Sequence, residues 1–281
     1  GSSLVGSEMC IRDRINMIET KSDWKDLRDG IRAICKKFPE TYWRDLDIKR
    51  EYPSKFVKSL TETGYLACLI PGKYGGSGLS IRAASVILEE IHRSGGNGAA
   101  CHAQMYIMGS LLKYGSDILK EKYLFDIANG NLRLQAFGVT EPTSGTDTLS
   151  IQTRAKKKGN KYIINGQKVW TSRAEYSDLI MLLVKTNQEA KDSKNSLSLF
   201  LIDMRKHIGK EIIIKSIRTM VNHSTTEIFF DNLEVDQSCM IGEEGQGFKY
   251  ILNGLNAERL LIASECIGDA KYFIDKSVEY G

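Results

Sequence analysis

The sequence predicts an α+β fold: an N-terminal helical bundle, a central antiparallel β-barrel or sandwich, and the start of a second, truncated C-terminal helical bundle. Three observations predict it. Apolar residues recur at spacings of three and four up to about Asn131, alternate from about Leu132 to Met240, and return to the helical spacing from Gly245 onward. The strand-like stretches follow one another without intervening helices, which favours hairpin-linked antiparallel strands over a doubly wound sheet. The last helical stretch carries a wide apolar stripe to the end of the chain. A helix of that kind needs partners, so the chain reads as a fragment or as one that docks on another subunit.

In the first block, Trp24, Leu27, Ile31, Ile34 and Phe38 form one apolar stripe. Ser54 is placed to cap a helix carrying Phe56, Val57 and Leu60 and closed by Gly64. After a Gly-rich loop, Ser80 opens a helix that stops at Gly95-Gly96, and two more helices end at Gly115 and Gly130. In the middle block, Gly159-Asn160 reads as a hairpin turn beside the basic run Lys156-Lys157-Lys158. Asn165-Gly166 reads as a type I′ hairpin splitting the stretch from 160 to 170. The runs 179–185, 197–202, 211–217 and 227–230 complete the strands. In the last block, Phe248, Ile251, Leu255, Ile262, Cys266 and Phe273 are expected on one helical face. The divisions expected are 21–131, 132–241 and 242–281, preceded by a non-native or disordered tail at 1–20, which has neither a clean period nor a signal-peptide core.

Composition excludes several classes. The net charge of +4, from 39 Lys+Arg against 35 Asp+Glu, is small and dispersed and does not point to nucleic acid. No apolar run approaches a membrane span. The six cysteines are scattered without a C-x-x-C and read as buried thiols of a reducing compartment. The four histidines show no metal spacing.

The glycine clusters at 72–78 and 242–247 do not match a dinucleotide fingerprint and read as turns. The segment 138–150 (GVTEPTSGTDTLS) gathers hydroxyls, a proline and a glycine behind an apolar strand. Such a loop exposes N–H and O–H groups together, as a cofactor with carbonyls and phosphates requires, although composition alone reads rather as a polar turn. A carboxylate held away from water has its pKa raised towards working pH and can serve as a general base. Glu258 lies within about 40° of Ile251 and Ile262 on a helical wheel, at the border of the apolar face. Glu265 and Asp269 share that border, so a solvated acidic row fits the same residues.

These motifs, taken in order with PGKYGGSGLS, NGQKVWTS and GEEGQGF, resemble the acyl-CoA dehydrogenase family from Lys21 to the chain end. The resemblance implies an FAD enzyme that converts an acyl-CoA to a trans-2-enoyl-CoA. It implies flavin contacts from Phe137, Val139, Thr140, Gly145, Thr146, Trp170 and Ser172, substrate contacts from Thr146, Asn256 and Arg259, and no metal. Thr146 and Ser172 depart from the family's usual serine and threonine, yet each keeps its hydroxyl. Glu258, in an E-R-L context, matches the base of the isovaleryl- and long-chain branch, whereas other branches carry the base in a later loop. The resemblance further implies an electron-transfer flavoprotein as acceptor and a homo-oligomer, tetramer or dimer. It implies a bacterial cytoplasm or a mitochondrial matrix, not secretion. An acyl-CoA oxidase or flavin monooxygenase on the same scaffold, and a non-catalytic fragment, remain alternatives.

Overall fold

The computed structural model describes residues 24–187 and 193–281. The expected tail at 1–20, and Cys10 with it, lie outside the described residues. Helices come first: α1 (Lys25–Cys35), α2 (Glu40–Lys49), α3 (Ser54–Glu62), α4 (Ile81–Arg93), α5 (Ala99–Tyr114) and α6 (Asp117–Asn129). Eight strands follow: β1 (Leu134–Gly138), β2 (Arg154–Lys158), β3 (Lys161–Ser172), β4 (Leu179–Lys185), β5 (Leu197–Asp203), β6 (Ile212–Ser216), β7 (Thr225–Asp236) and β8 (Met240–Ile241). Helix α7 (Gly247–Tyr280) closes the chain.

Helix α5 is apolar on every side and buries Cys101, Met105, Tyr106, Ile107 and Leu111. An all-round apolar helix belongs at the centre of its layer. It lies against β1, with the Tyr106 and Phe137 rings 5.9 Å apart. Ser116 caps α6 by accepting from the Leu119 N–H at 3.3 Å. The other expected caps differ. Ser54 is the first helical residue of α3 and makes no cap bond, because Pro53 already stands before it with its φ preset. Ser80 precedes α4 in an extended conformation, also without a side-chain cap bond. Helix α2 buries none of its residues fully, which is why no apolar period announces it. Its Trp43 still packs edge-on against Phe56 of α3 at 4.8 Å.

The strands form one mostly antiparallel sheet in the order β6-β7-β3-β2-β4-β5-β8, with β1 pairing β4 in parallel. Strands β4 and β5 are buried on both faces. Leu179, Met181 and Leu183 face the helical core, while Ile180, Leu182 and Val184 face a second core enclosed by the sheet. The sheet curls over that second core, bringing Tyr162 of β3 to 5.2 Å from Phe200 of β5.

The turn at Gly159-Asn160 joins β2 to β3 as expected, with Lys158 opposite Lys161. The hairpin expected at Asn165-Gly166 does not exist: β3 runs straight through it and pairs with β7, with a register shift between Ile164 and Gly166. The glycine there answers a close approach instead. A Cβ on Gly166, whose φ is 149°, would lie 2.6 Å from the Thr153 Cα.

The face α7 buries is the expected one only in its first turns, where Ile251 is buried and Phe248 and Leu255 pack against the helical core. Of the predicted stripe only Ile251 is fully buried, while Ile262 and Phe273 are 39% and 64% exposed and Cys266 is exposed. The packed face is Tyr250, Gly254, Leu261, Glu265 and Gly268, roughly a quarter-turn away. Close approach decides it: a Cβ at Gly268 would sit 2.4 Å from the Glu89 carbonyl oxygen of α4. Small residues let the helices cross tightly there, and the ion pairs Lys271–Glu89 and Arg28–Glu89 tie α7, α4 and α1 together. The cysteine expectation is likewise corrected: Cys35, Cys68 and Cys101 are buried thiols, but Cys239 is only half-buried.

Candidate active site

Strand β1 delivers its last residues to a loop held from beneath by one lysine. Lys168 of β3 is wholly buried. Its Nζ donates to the Val139 carbonyl at 2.9 Å and to Glu141 Oε1 at 2.8 Å. Glu141 in turn accepts from the N–H groups of Gln152 at 2.5 Å and Thr153 at 2.9 Å. Burial pushes the Glu141 carboxyl up, but the Lys168 charge and these hydrogen bonds outweigh it and hold it below its ordinary range. Burial pulls the Lys168 ammonium down to about 8, against the opposing charge and hydrogen bond of Glu141. The difference between the partners follows from the donors: Glu141 has two N–H groups besides the lysine.

The loop so held displays Gly145 and Thr146 to solvent. A Cβ on Gly145 would meet no protein atom within 4 Å. Among the described residues, the N–H groups of Gly145 and Thr146 donate to no protein acceptor. Beside this loop the Val169 N–H donates to the Thr140 carbonyl at 2.9 Å. The next residue, Trp170, sits at φ 60° and is 59% exposed, at a register shift between Lys168 and Thr171. A bulky residue in the left-handed region is strained, and here the strain turns an indole outward from an otherwise paired strand. The Ser172 hydroxyl accepts from Asn222 Nδ2 at 2.8 Å. Phe137, Val139 and Thr140 are half-buried along the same rim. An exposed aromatic plane, three hydroxyls and free N–H groups fit a flat heteroaromatic ring carrying carbonyls and phosphates.

Glu258 approaches from α7. Its carboxyl is half-buried and makes no hydrogen bond to protein among the described residues. Burial raises its pKa above the ordinary carboxylate value, against the opposing charges of His102, Arg259 and Arg173. Tyr106, buried on α5, feels the Glu258 charge and lies against Phe137. Two turns further along α7, Glu265 lies 2.8 Å from His102 Nδ1, and one turn beyond it Asp269 lies 2.9 Å from His92 Nδ1. The acidic row read from the sequence is therefore split: Glu265 is buried and paired, Asp269 is at the surface, and Glu258 is left without a partner.

Asn256 and Arg259 are exposed and bonded to each other, Arg259 Nη1 donating to Asn256 Oδ1 at 2.7 Å. Among the described residues, no hydrogen bond joins them to Thr146. Sequence reasoning did not single out Lys168, Glu141, Tyr106, His102 or Arg173. Neither Lys168, in the polar stretch 165–168 of β3, nor Glu141, in the loop after β1, carried a local signal of burial. Among the described residues, no group of three or more His, Cys, Asp or Glu is placed to hold a metal. No described helix is long and apolar enough to cross a membrane.

Comparison with known proteins gives this geometry a family. The acyl-CoA dehydrogenase N-terminal domain model matches residues 21–131 and the acyl-CoA dehydrogenase middle domain model matches residues 136–233. The cyclohex-1-ene-1-carbonyl-CoA dehydrogenase of Syntrophus aciditrophicus (strain SB) is 30% identical over 280 residues, covering 96% of this chain and 64% of that protein. The glutaryl-CoA dehydrogenase of Desulfococcus multivorans is 31% identical over 264 residues, covering 91% of this chain and 65% of that protein. The chain therefore spans a little under two thirds of the length of these curated relatives. The crystal structure of an acyl-CoA dehydrogenase from Geobacillus kaustophilus superposes with a TM-score of 0.84 at 26% identity, covering 92% of this chain and 68% of that one. With both domain models matched in the order the helices and the sheet follow one another, this chain belongs to the acyl-CoA dehydrogenase family.

Proposed function

We propose that the protein desaturates an acyl-CoA to the trans-2-enoyl-CoA, with FAD as cofactor. The observation that carries the reading is Glu258: a desolvated carboxyl with no protein hydrogen bond among the described residues, whose charge acts on the Tyr106 that packs against the end of the strand feeding the candidate flavin loop. When bound, FAD supplies the hydride acceptor for the β-carbon. Glu258 takes the α-proton, and its raised pKa makes it a stronger base than a solvated glutamate. Trp170 would lie along the flavin ring, with Phe137 and Val139 at its rim. The hydroxyls of Thr140, Thr146 and Ser172 and the N–H groups about Gly145 would meet its carbonyls and phosphates. Asn256 and Arg259, with Thr146, would take the nucleotide end of the thioester.

The family relationship supports three further parts of the reading. Reoxidation goes to an electron-transfer flavoprotein. The working unit is a homodimer or homotetramer, in which Leu260, Ile267 and Ile274, now 51–62% exposed on α7, are covered. The compartment is a bacterial cytoplasm or a mitochondrial matrix.

The test is an anaerobic visible spectrum of the flavin-loaded protein with a panel of acyl-CoAs, followed by Glu258→Gln. One acyl-CoA should bleach the flavin band, and the variant should keep flavin while losing turnover by about two orders of magnitude or more. Because only the ionised carboxylate accepts a proton, kcat/KM in the wild type should rise with pH through the raised Glu258 pKa and then level. Retained turnover in Glu258→Gln would place the base elsewhere. Rapid reoxidation of the bleached flavin in air would favour an oxidase or monooxygenase.

A further inference from the structure

The surroundings of Glu258 are polar where a fatty chain would need hydrocarbon. The charge of Arg173, directly after Ser172, reaches both Glu258 and Tyr106. Arg173 is 5% exposed, yet it forms no ion pair with any described carboxylate, and its Nε has no hydrogen-bond partner. Its one side-chain bond, Nη1 to Asn222 Oδ1, is long at 3.4 Å. Burying a guanidinium without a counter-ion is costly, and a fold that keeps one beside a cavity is equipped for a ligand that brings the anion.

The cavity is there. Arg173 lines a space of about 160 Å³ together with Tyr52, Asn222 and His223. That is close to the size of an apolar cavity able to take a benzene ring, so a short chain end fits. A second buried polar atom without a partner, His223 Nδ1, belongs to the same lining. Two carboxylates also line it. Asp47 is engaged by His223 Nε2 at 2.7 Å, and Glu51 is exposed at the surface. Neither forms an ion pair with Arg173.

Resting on the acyl-CoA reading above, we propose that Arg173 receives a carboxylate at the far end of the acyl group, so that the substrate class is an ω-carboxyacyl-CoA. Guanidinium and carboxylate match as a planar fork, and the cavity beside Arg173 has room for the carboxylate and the methylenes next to it.

The experiment compares glutaryl-CoA and adipyl-CoA with hexanoyl-CoA on the flavin-loaded protein, in the wild type, Arg173→Gln and Arg173→Lys. The ω-carboxylates should show kcat/KM about 10- to 100-fold above hexanoyl-CoA, the worth of one charge-assisted hydrogen bond. That preference should collapse towards unity in Arg173→Gln and survive in part in Arg173→Lys, which keeps the charge but not the fork. Should Arg173→Gln fail to fold, the partial loss in Arg173→Lys carries the test. A wild-type preference for hexanoyl-CoA, or a preference unchanged by either substitution, overturns the proposal. If no acyl-CoA bleaches the flavin, the dehydrogenase reading falls, and free glutarate decides the receptor separately. A melting-temperature rise with glutarate in the wild type but not in the variant upholds a carboxylate site for free anions, and no rise overturns it.

Discussion

Lys168→Met removes the one cation beneath the candidate flavin loop. In the wild type, Nζ holds two points of that loop at once, the Val139 carbonyl and the Glu141 carboxylate, at 2.9 and 2.8 Å. Both partners of the ion pair are inaccessible, with side chains 0% and 3% exposed. Truncating one partner of such a pair leaves a buried charge uncompensated and costs about 3–5 kcal/mol. Glu141 retains the Gln152 and Thr153 N–H groups, which places the expectation at the lower end, about 3 kcal/mol. For a chain of this size that is a fall in Tm of about 6–12 °C. The double variant Lys168→Met/Glu141→Gln removes the stranded charge, keeps an acceptor for the two N–H groups, and should recover a large part of the loss. Denaturant titration of the four proteins of this cycle gives the coupling energy, and flavin affinity measured in parallel shows whether the loop has moved. An additive cycle, with the double variant as unstable as the sum of the singles, would sink the claim that the pair acts as a brace.

Three substitutions probe other parts of the structure. Gly268→Ala puts a Cβ 2.4 Å from the Glu89 carbonyl and 2.7 Å from the His92 Cβ, so overpacking of about 1–3 kcal/mol is expected in a denaturant melt. Gly109→Ala, in α5 with nothing within 4 Å of the added Cβ, should instead be neutral or stabilising by up to about 1 kcal/mol, and similar losses in both would refute the close-crossing argument. Trp170→Ala, at a site already 59% exposed, should move stability by no more than about 0.5 kcal/mol while weakening FAD binding about 2- to 10-fold in a fluorescence titration. A large fall in Tm with unchanged flavin affinity would make Trp170 a core residue after all.

The parts of this fold legible in the sequence are those whose causes are local. Strands β4 and β5 are short apolar runs buried on both faces, and their composition says as much. The turn at Gly159-Asn160 needs only its own two residues and the strands beside it. Asn165-Gly166 misleads for the opposite reason: its glycine is required by Thr153, twelve residues or more away along the chain, and no local pattern carries that demand. Helix α7 misleads in the same way. Its most apolar face was read as the packed face, but packing is decided by which face lets α4 come closest, and that face is marked by Gly254 and Gly268.

The candidate site divides along the same line. A 3.6-residue period was enough to place Glu258 at the border of an apolar stripe, although the stripe itself is not what buries it. Its electrostatic surroundings come from α5 and the segment after β3, which deliver Tyr106, His102 and Arg173 from elsewhere in the chain. Each of these looks ordinary where it stands: a tyrosine in an apolar helix, a histidine in the same helix, an arginine after a strand. Their meaning arises when the fold gathers them away from water, with His102 engaged by Glu265 and Arg173 left without an ion pair among the described residues. The same physics separates Glu258 from Glu265, its neighbour two turns on. Glu265 lies 2.8 Å from a histidine and is used up in holding α7 to α5, whereas Glu258 has burial without a bond and so keeps the basicity that proton abstraction requires.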